Sequence, residues 1–124
     1  MMEPIQGEGG VRPIPTETAQ ALAGFCRTTQ TLLIADEVQC GLGRTGQPFY
    51  SSMLGLTPDL MSLGKALGAG IPIGAALLSE KVSSSVSYGD HGSTYGGNLL
   101  ACQAALVFLN ALEAGLIQRV ADAG

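Results

Sequence analysis

A chain of 124 residues is long enough to bury one moderate core and too short for two domains of ordinary size. Hydrophobic residues make up 46% and charged residues 13%, with 18 glycines, which excludes a disordered tail and points to the interior of a globular α/β protein. A net charge of −4 with no basic cluster argues against nucleic acid or an anionic membrane as a partner.

The chain begins MMEPIQGEGG, without the basic and apolar regions of a secretory leader. The longest run of purely apolar and small residues, Gly68 to Leu78, is about half the ~20 residues a bilayer needs, so no membrane span is expected. Both ends are expected to be cut. A glycine-rich loop follows the first methionines directly, and LIQRVADAG breaks off in a helical pattern.

Glu3 to Pro15, rich in proline and glycine, is expected to be neither helix nor regular strand. Thr16 to Thr28 carries apolar residues at Ala19, Leu22, Ala23 and Cys26, the spacing of a helix, with Thr16 as N-cap and Glu17 in the first turn. Thr31 to Ala35 is a short apolar run, the pattern of a strand in a parallel sheet covered on both faces. SSMLGLTP reads as a short helix ending before Pro58, LMSLG as a second strand ending at Lys65, and Ile73 to Ser79 as a third. EKVSSSV reads as a brief helix and YGDHGSTYGGN as a loop. From Leu99 to about Ala114, apolar residues recur at three and four positions, which predicts a longer amphipathic helix. Cys26, Cys40 and Cys102 are odd in number and irregularly spaced, fitting neither a disulfide framework nor a zinc site, and a reducing cytoplasm is the expected compartment.

Two patterns compete for the chemistry. GLGRTG, Gly41 to Gly46, spells the GxGxxG of a dinucleotide loop, but five residues including Asp36 and Glu37 separate it from the strand, and no helical period follows. That reading is set aside in favour of a tight loop. The second pattern is a pair of charges at strand ends, Asp36 and Lys65. If the two strands run parallel in one sheet, both emerge at the carboxyl-end edge, where ligands of such sheets bind. An ion pair or two solvated rim charges would satisfy the same spacing. Around Lys65, however, stand only Gly64, Ala66, Gly68, Ala69 and Gly70, leaving its amine open to a planar ligand and suited to Schiff-base chemistry.

The ordered set EPIQGEGG, ADEVQCGLGRTG, PDLMSLGKALGAGIPIGA and HGSTYGGN resembles the class III (subgroup II) pyridoxal-phosphate aminotransferases, most closely the acetylornithine and ornithine aminotransferase branch. The resemblance runs from Glu3 to about Leu116. It implies the central part of a fold type I large domain, a mostly parallel sheet with flanking helices, comprising residues 1–124 as a single partial domain.

By the same resemblance, Lys65 matches the lysine that forms a Schiff base with pyridoxal 5'-phosphate and moves the proton, and Asp36 the acid that pairs with the ring nitrogen. Val38 matches the residue packing on the ring face, and Gln39 the donor to its phenolic oxygen. Thr94, with Ser93, matches the hydroxyl reaching the phosphate in the neighbouring subunit, which implies a homodimer with shared sites. Glu8 resembles the glutamate that pairs with a substrate-binding arginine, while Glu3 supports the site from behind. Arg44 is expected to hold its loop by pairing with Glu37 or a backbone carbonyl, His91 to be a turn residue, and the cysteines only to pack. The implied reaction passes an amino group from acetylornithine, ornithine or a similar ω-amine to 2-oxoglutarate, a step of arginine biosynthesis. An aminomutase of the same family and an inactive truncated chain are the alternatives. The family's upstream phosphate loop, its stacking aromatic and its downstream arginine do not occur among these residues, and Leu99 stands where relatives usually carry proline.

Overall fold

The computed structural model describes residues 1–124. Helix α1 spans Thr16–Thr28, the residues that the apolar spacing marks. Its start differs in one detail: Pro15 is the capping position and Thr16 the first helical residue, so no hydroxyl caps this helix. The buried Ala19 and Ala23 of α1 pack on Leu33, Leu54 and Leu56.

The segment before α1 is more regular than its composition indicates. Strand β1 (Ile5–Gln6) pairs antiparallel with β2 (Arg12–Pro13), forming a small hairpin. Strands of two residues have no detectable period, which is why the pattern reads as loop.

Strand β3 (Ile34–Asp36) lies parallel to β4 (Leu60–Leu63), with Asp36 opposite Ser62. It starts later than the apolar run because the Leu33 amide donates to Asp59 Oδ2 at 2.8 Å instead of entering the ladder. On the other side of β3, the Met2 amide donates to Ile34 O at 2.9 Å and the Asp36 amide to Met2 O at 2.8 Å. Strand β5 (Ala75–Leu78) joins β4 antiparallel, so the local sheet is mixed at this edge.

Short helices α2 (Tyr50–Met53) and α3 (Glu80–Ser83) are each one turn long. Helix α4 (Leu99–Ala111) is capped by Asn98, whose side chain accepts from the Ala101 amide at 3.1 Å. Past Ala111 the chain bends at Gly115, where φ is 103°, into α5 (Ile117–Ala123). By length and composition the stretch Leu99–Ala123 would suffice to cross a membrane, a feature that the search for purely apolar runs passes over. Here it presses Ala101 and Ala105 inward, and Ala105 joins Leu42, Leu63 and Leu67 in a second small core.

The glycines of GLGRTG serve this packing. A Cβ on Gly43 would stand 2.9 Å from Leu112 Cδ2, and one on Gly46 would stand 2.9 Å from the Ala121 backbone. Both positions also have positive φ, 83° and 78°, which favours glycine independently of space. The loop is a bed for α4 and α5, and no helix opens at its last glycine, since α2 begins only at Tyr50.

Glu37 is fully buried and anchors this loop to α2. Its Oε1 accepts from the Ser51 amide at 2.6 Å, and its Oε2 from the Tyr50 amide at 3.2 Å and the Cys40 thiol at 3.0 Å. The first amides of a helix lack helical partners, and a carboxylate satisfies them well. Arg44 forms neither of its expected links: Glu37 is engaged by the two amides and the thiol, and no carbonyl accepts from the guanidinium, which is exposed. Cys40 in turn does more than pack. Burial, reinforced by its bond to Glu37, pushes its thiol up to about 12.

Three outcomes follow from this anchor. In the protein that contains this chain, Glu37→Ala removes the acceptor of two amides and lowers stability by about 2–4 kcal/mol, read from the urea midpoint. Among Cys26, Cys40 and Cys102, Cys40 reacts last with a thiol reagent at pH 8, as peptide mapping will reveal. Because its folded value is raised above 9.0, its contribution to stability is complete below pH 9 and is lost as pH climbs towards about 12.

Candidate active site

Parallel pairing of β3 and β4 sends both chain directions towards one edge, so the residues that follow the strands gather there. Asp36 is the last residue of β3. Its Oδ1 accepts from the Val38 amide at 3.1 Å and from Ser62 Oγ at 3.0 Å, the latter reaching across from β4. Both bonds fall on one oxygen, and Oδ2 has no partner in the chain. A carboxylate has about four lone-pair sites, so this one keeps acceptor capacity.

Lys65 opens the tight turn Lys65–Gly68 that follows β4. Its φ is 45°, in the left-handed region, which costs a side-chain-bearing residue on the order of 1 kcal/mol. Such strain concentrates at working positions. Buried Leu67 in the same turn is locked against Leu63 and Ala105, which holds the strained residue in place. Gly64, just before it, is buried, and a Cβ there would stand 3.4 Å from Val38 Cγ1. Val38 therefore lies directly against the turn that carries the lysine.

The Lys65 side chain is exposed, and its Nζ donates to Gln39 Oε1. Lys65, Gln39, Val38, Arg44, Ile5 and Gly7 are among the walls of one cleft of about 540 Å³. A larger cleft of about 630 Å³, beside α5, includes Arg44 and Arg119 but not Lys65. The smaller cleft is the one with an amine and an amide, and it is the candidate site; Asp36 is not on its wall and stands behind it, bonded to the amide of the lining residue Val38.

The structure does not bring every expected residue to this cleft. Glu8 sits exposed at the hairpin tip, next to the lining residue Gly7 and not itself on the wall. Ser93 lines a separate cleft with Ile73 and Tyr95, and Thr94 is exposed in the same loop. His91 is exposed there too. Glu3 acts through the backbone, its Oε2 accepting from the Gly7 amide at 3.2 Å. Sequence reasoning missed Gly7 and Ser62, which touch the Gln39 and Asp36 side chains. A serine opposite Asp36 becomes visible only once the strand register is known.

Residues 1–124 match the family described as aminotransferase class-III. An acetylornithine aminotransferase of Methanocaldococcus jannaschii is 49% identical over 113 residues, 91% of this chain and 28% of that relative. A mitochondrial acetylornithine aminotransferase of Alnus glutinosa is 48% identical over 124 residues, 99% of this chain and 28% of its own length. Among solved structures, an ornithine delta-aminotransferase of Plasmodium falciparum superposes with a TM-score of 0.83 at 42% identity, over 90% of this chain and 29% of the other. A transaminase of the marine bacterium Virgibacillus gives a TM-score of 0.87 at 31% identity, over 96% of this chain and 28% of its own. The chain thus spans somewhat more than a quarter of the relatives it matches, and its α/β layers are those of part of a fold type I pyridoxal-phosphate-dependent aminotransferase. With a family match from the first residue to the last, and a fold shared with solved aminotransferases, the chain belongs to the class III aminotransferases.

Proposed function

We propose that this chain is the central part of the cofactor-binding large domain of an aminotransferase. The enzyme uses pyridoxal 5'-phosphate to pass the side-chain amino group of acetylornithine, ornithine or a similar ω-amine to 2-oxoglutarate. The observation that carries the reading is the convergence of an exposed lysine amine and a carboxylate with a free oxygen at the ends of two adjacent parallel strands. Names of relatives at 48 to 49% identity support the choice of donor.

The residues fit the cofactor's chemistry. Asp36 Oδ2 is available to a cationic ring nitrogen, the Gln39 amide nitrogen to a phenolic oxygen, and the Lys65 amine to an aldehyde. Val38, backed by Gly64, offers an apolar surface for one ring face.

When bound, pyridoxal phosphate supplies an aldehyde that condenses with amines and a cationic ring that accepts an electron pair. Asp36 holds a proton on the ring nitrogen. An ion pair at about 4 Å is worth roughly 4 kcal/mol at an effective dielectric of ~20, enough to keep that nitrogen charged. Lys65 would hold the group through its aldehyde and, once freed as an amine, would take the proton from the substrate carbon that bears the amino group. Gln39 orients both the lysine and the phenolic oxygen through the two ends of one amide. Ser93 and Thr94 serve the phosphate held by a second copy of the protein, so the working form is a homodimer in the cytoplasm. Glu8, exposed at the hairpin tip beside the cleft, pairs with a substrate-binding arginine supplied by another part of the complete protein.

Trapping with borohydride after adding pyridoxal phosphate to the complete protein labels Lys65, and Lys65→Ala abolishes that label; a label on another lysine ends the proposal. Asp36→Asn, nearly equal in size, leaves the circular dichroism spectrum unchanged and lowers kcat by on the order of a hundredfold or more. Normal turnover in that variant would make Asp36 a structural acid.

A further inference from the structure

The β1–β2 hairpin reaches the candidate site at one point, Gly7. A Cβ built on Gly7 would overlap the Gln39 carboxamide. The backbone of Gly7 lies outside the left-handed region, so an alanine there is opposed by space and not by conformation. The turn is also pinned. The Gly7 amide donates to Glu3 Oε2 at 3.2 Å, and the Gly7 carbonyl accepts from the Gly10 and Val11 amides at 3.2 and 3.1 Å. Between a fixed turn and a flexible side chain, the side chain yields. The Gln39 carboxamide that would be displaced is the group accepting from Lys65 Nζ.

We propose that Gly7 is a positioning residue for the reacting lysine: its missing side chain seats the Gln39 carboxamide, and that carboxamide fixes the Lys65 amine in the cleft. The proposal rests on the reading of Lys65 as the reacting amine. Its consequence is directional. A methyl group at residue 7 leaves the fold intact, pushes the amide off the lysine and frees the amine. Glu3 belongs to the same device, because it holds the Gly7 backbone where the contact is made.

The test uses the complete protein, freed of cofactor, and an amine-selective acylating reagent whose rate at Lys65 is followed by peptide mapping. Four proteins are compared with the parent: Gly7→Ala, Gln39→Ala, the double variant, and Gly9→Ala as a control. A Cβ on Gly9 would meet only the Gln6 side chain of the same hairpin. The expected result is a labelling rate at Lys65 at least threefold faster in Gly7→Ala and in Gln39→Ala, no further change in the double variant, and the parent rate in Gly9→Ala. Effects that multiply in the double variant would mean that Gly7 does not act through Gln39. An unchanged rate in Gly7→Ala, or an equal acceleration in Gly9→Ala, would overturn the proposal. Should Gly7→Ala fold poorly, the double variant removes the overlap, and recovery of its melting temperature is itself the expected sign of the contact. Failure of the functional reading is separate: borohydride would then miss Lys65 in the parent protein, whatever the variants do.

Discussion

The parallel pairing of β3 with β4 is the constraint on which the rest depends. With Asp36 opposite Ser62, the carboxylate is held from the neighbouring strand, and Lys65 follows three residues later on the same edge. A slip of one residue would turn every side chain of β3 to the other face. Three different contacts guard against it. Met2 bonds to both sides of Ala35 on the outer edge, Asp59 captures the Leu33 amide below, and Glu37 ties the chain beyond Asp36 to the start of α2.

Glu37 explains why two acids stand side by side at this strand end. One points into the protein and is used up by amides of α2 and the Cys40 thiol. Its neighbour, Asp36, keeps an oxygen free. The alternation of side chains along an extended segment separates a buried, fully bonded carboxylate from one with a free oxygen at adjacent positions. The same division runs through GLGRTG, whose glycines admit α4 and α5 and leave phosphate binding to other parts of the protein.

Much of this was legible in the sequence, for identifiable reasons. Helix α1 has a complete apolar stripe, so its span could be read, although Pro15 and not Thr16 holds the capping position. The runs read for β4 and β5 contain the observed strands and that for β3 overlaps its strand at Ile34 and Ala35, although β5 turned out antiparallel, since pairing direction is a property of the connection and not of the strand's own residues. The hairpin was too short to leave a period. The link between Arg44 and Glu37 was inferred from opposite charges close in sequence, and it failed because backbone amides and a thiol reach the buried carboxylate instead. Contacts such as Gly7 with Gln39 join residues about thirty positions apart, and no local pattern encodes them.

The exposed surface has its own meaning. A folded monomer of 12.6 kDa exposes about 6,200 Å². This chain exposes 8185 Å², with Leu77 and Leu78 of β5 and Leu99, Leu100, Leu106 and Val107 of α4 open to solvent. Faces this apolar are those of a layer within a larger protein, in keeping with a chain that spans little more than a quarter of its relatives.

The backbone of Lys65 carries one further implication. A residue at φ 45° sits where glycine would be cheaper, so replacing the lysine by glycine would relax the turn while removing the amine. With Lys65 as the proposed reacting amine, folding stability and chemistry pull this position in opposite directions. A lineage that no longer needed an amine there would have a thermodynamic slope to descend at residue 65.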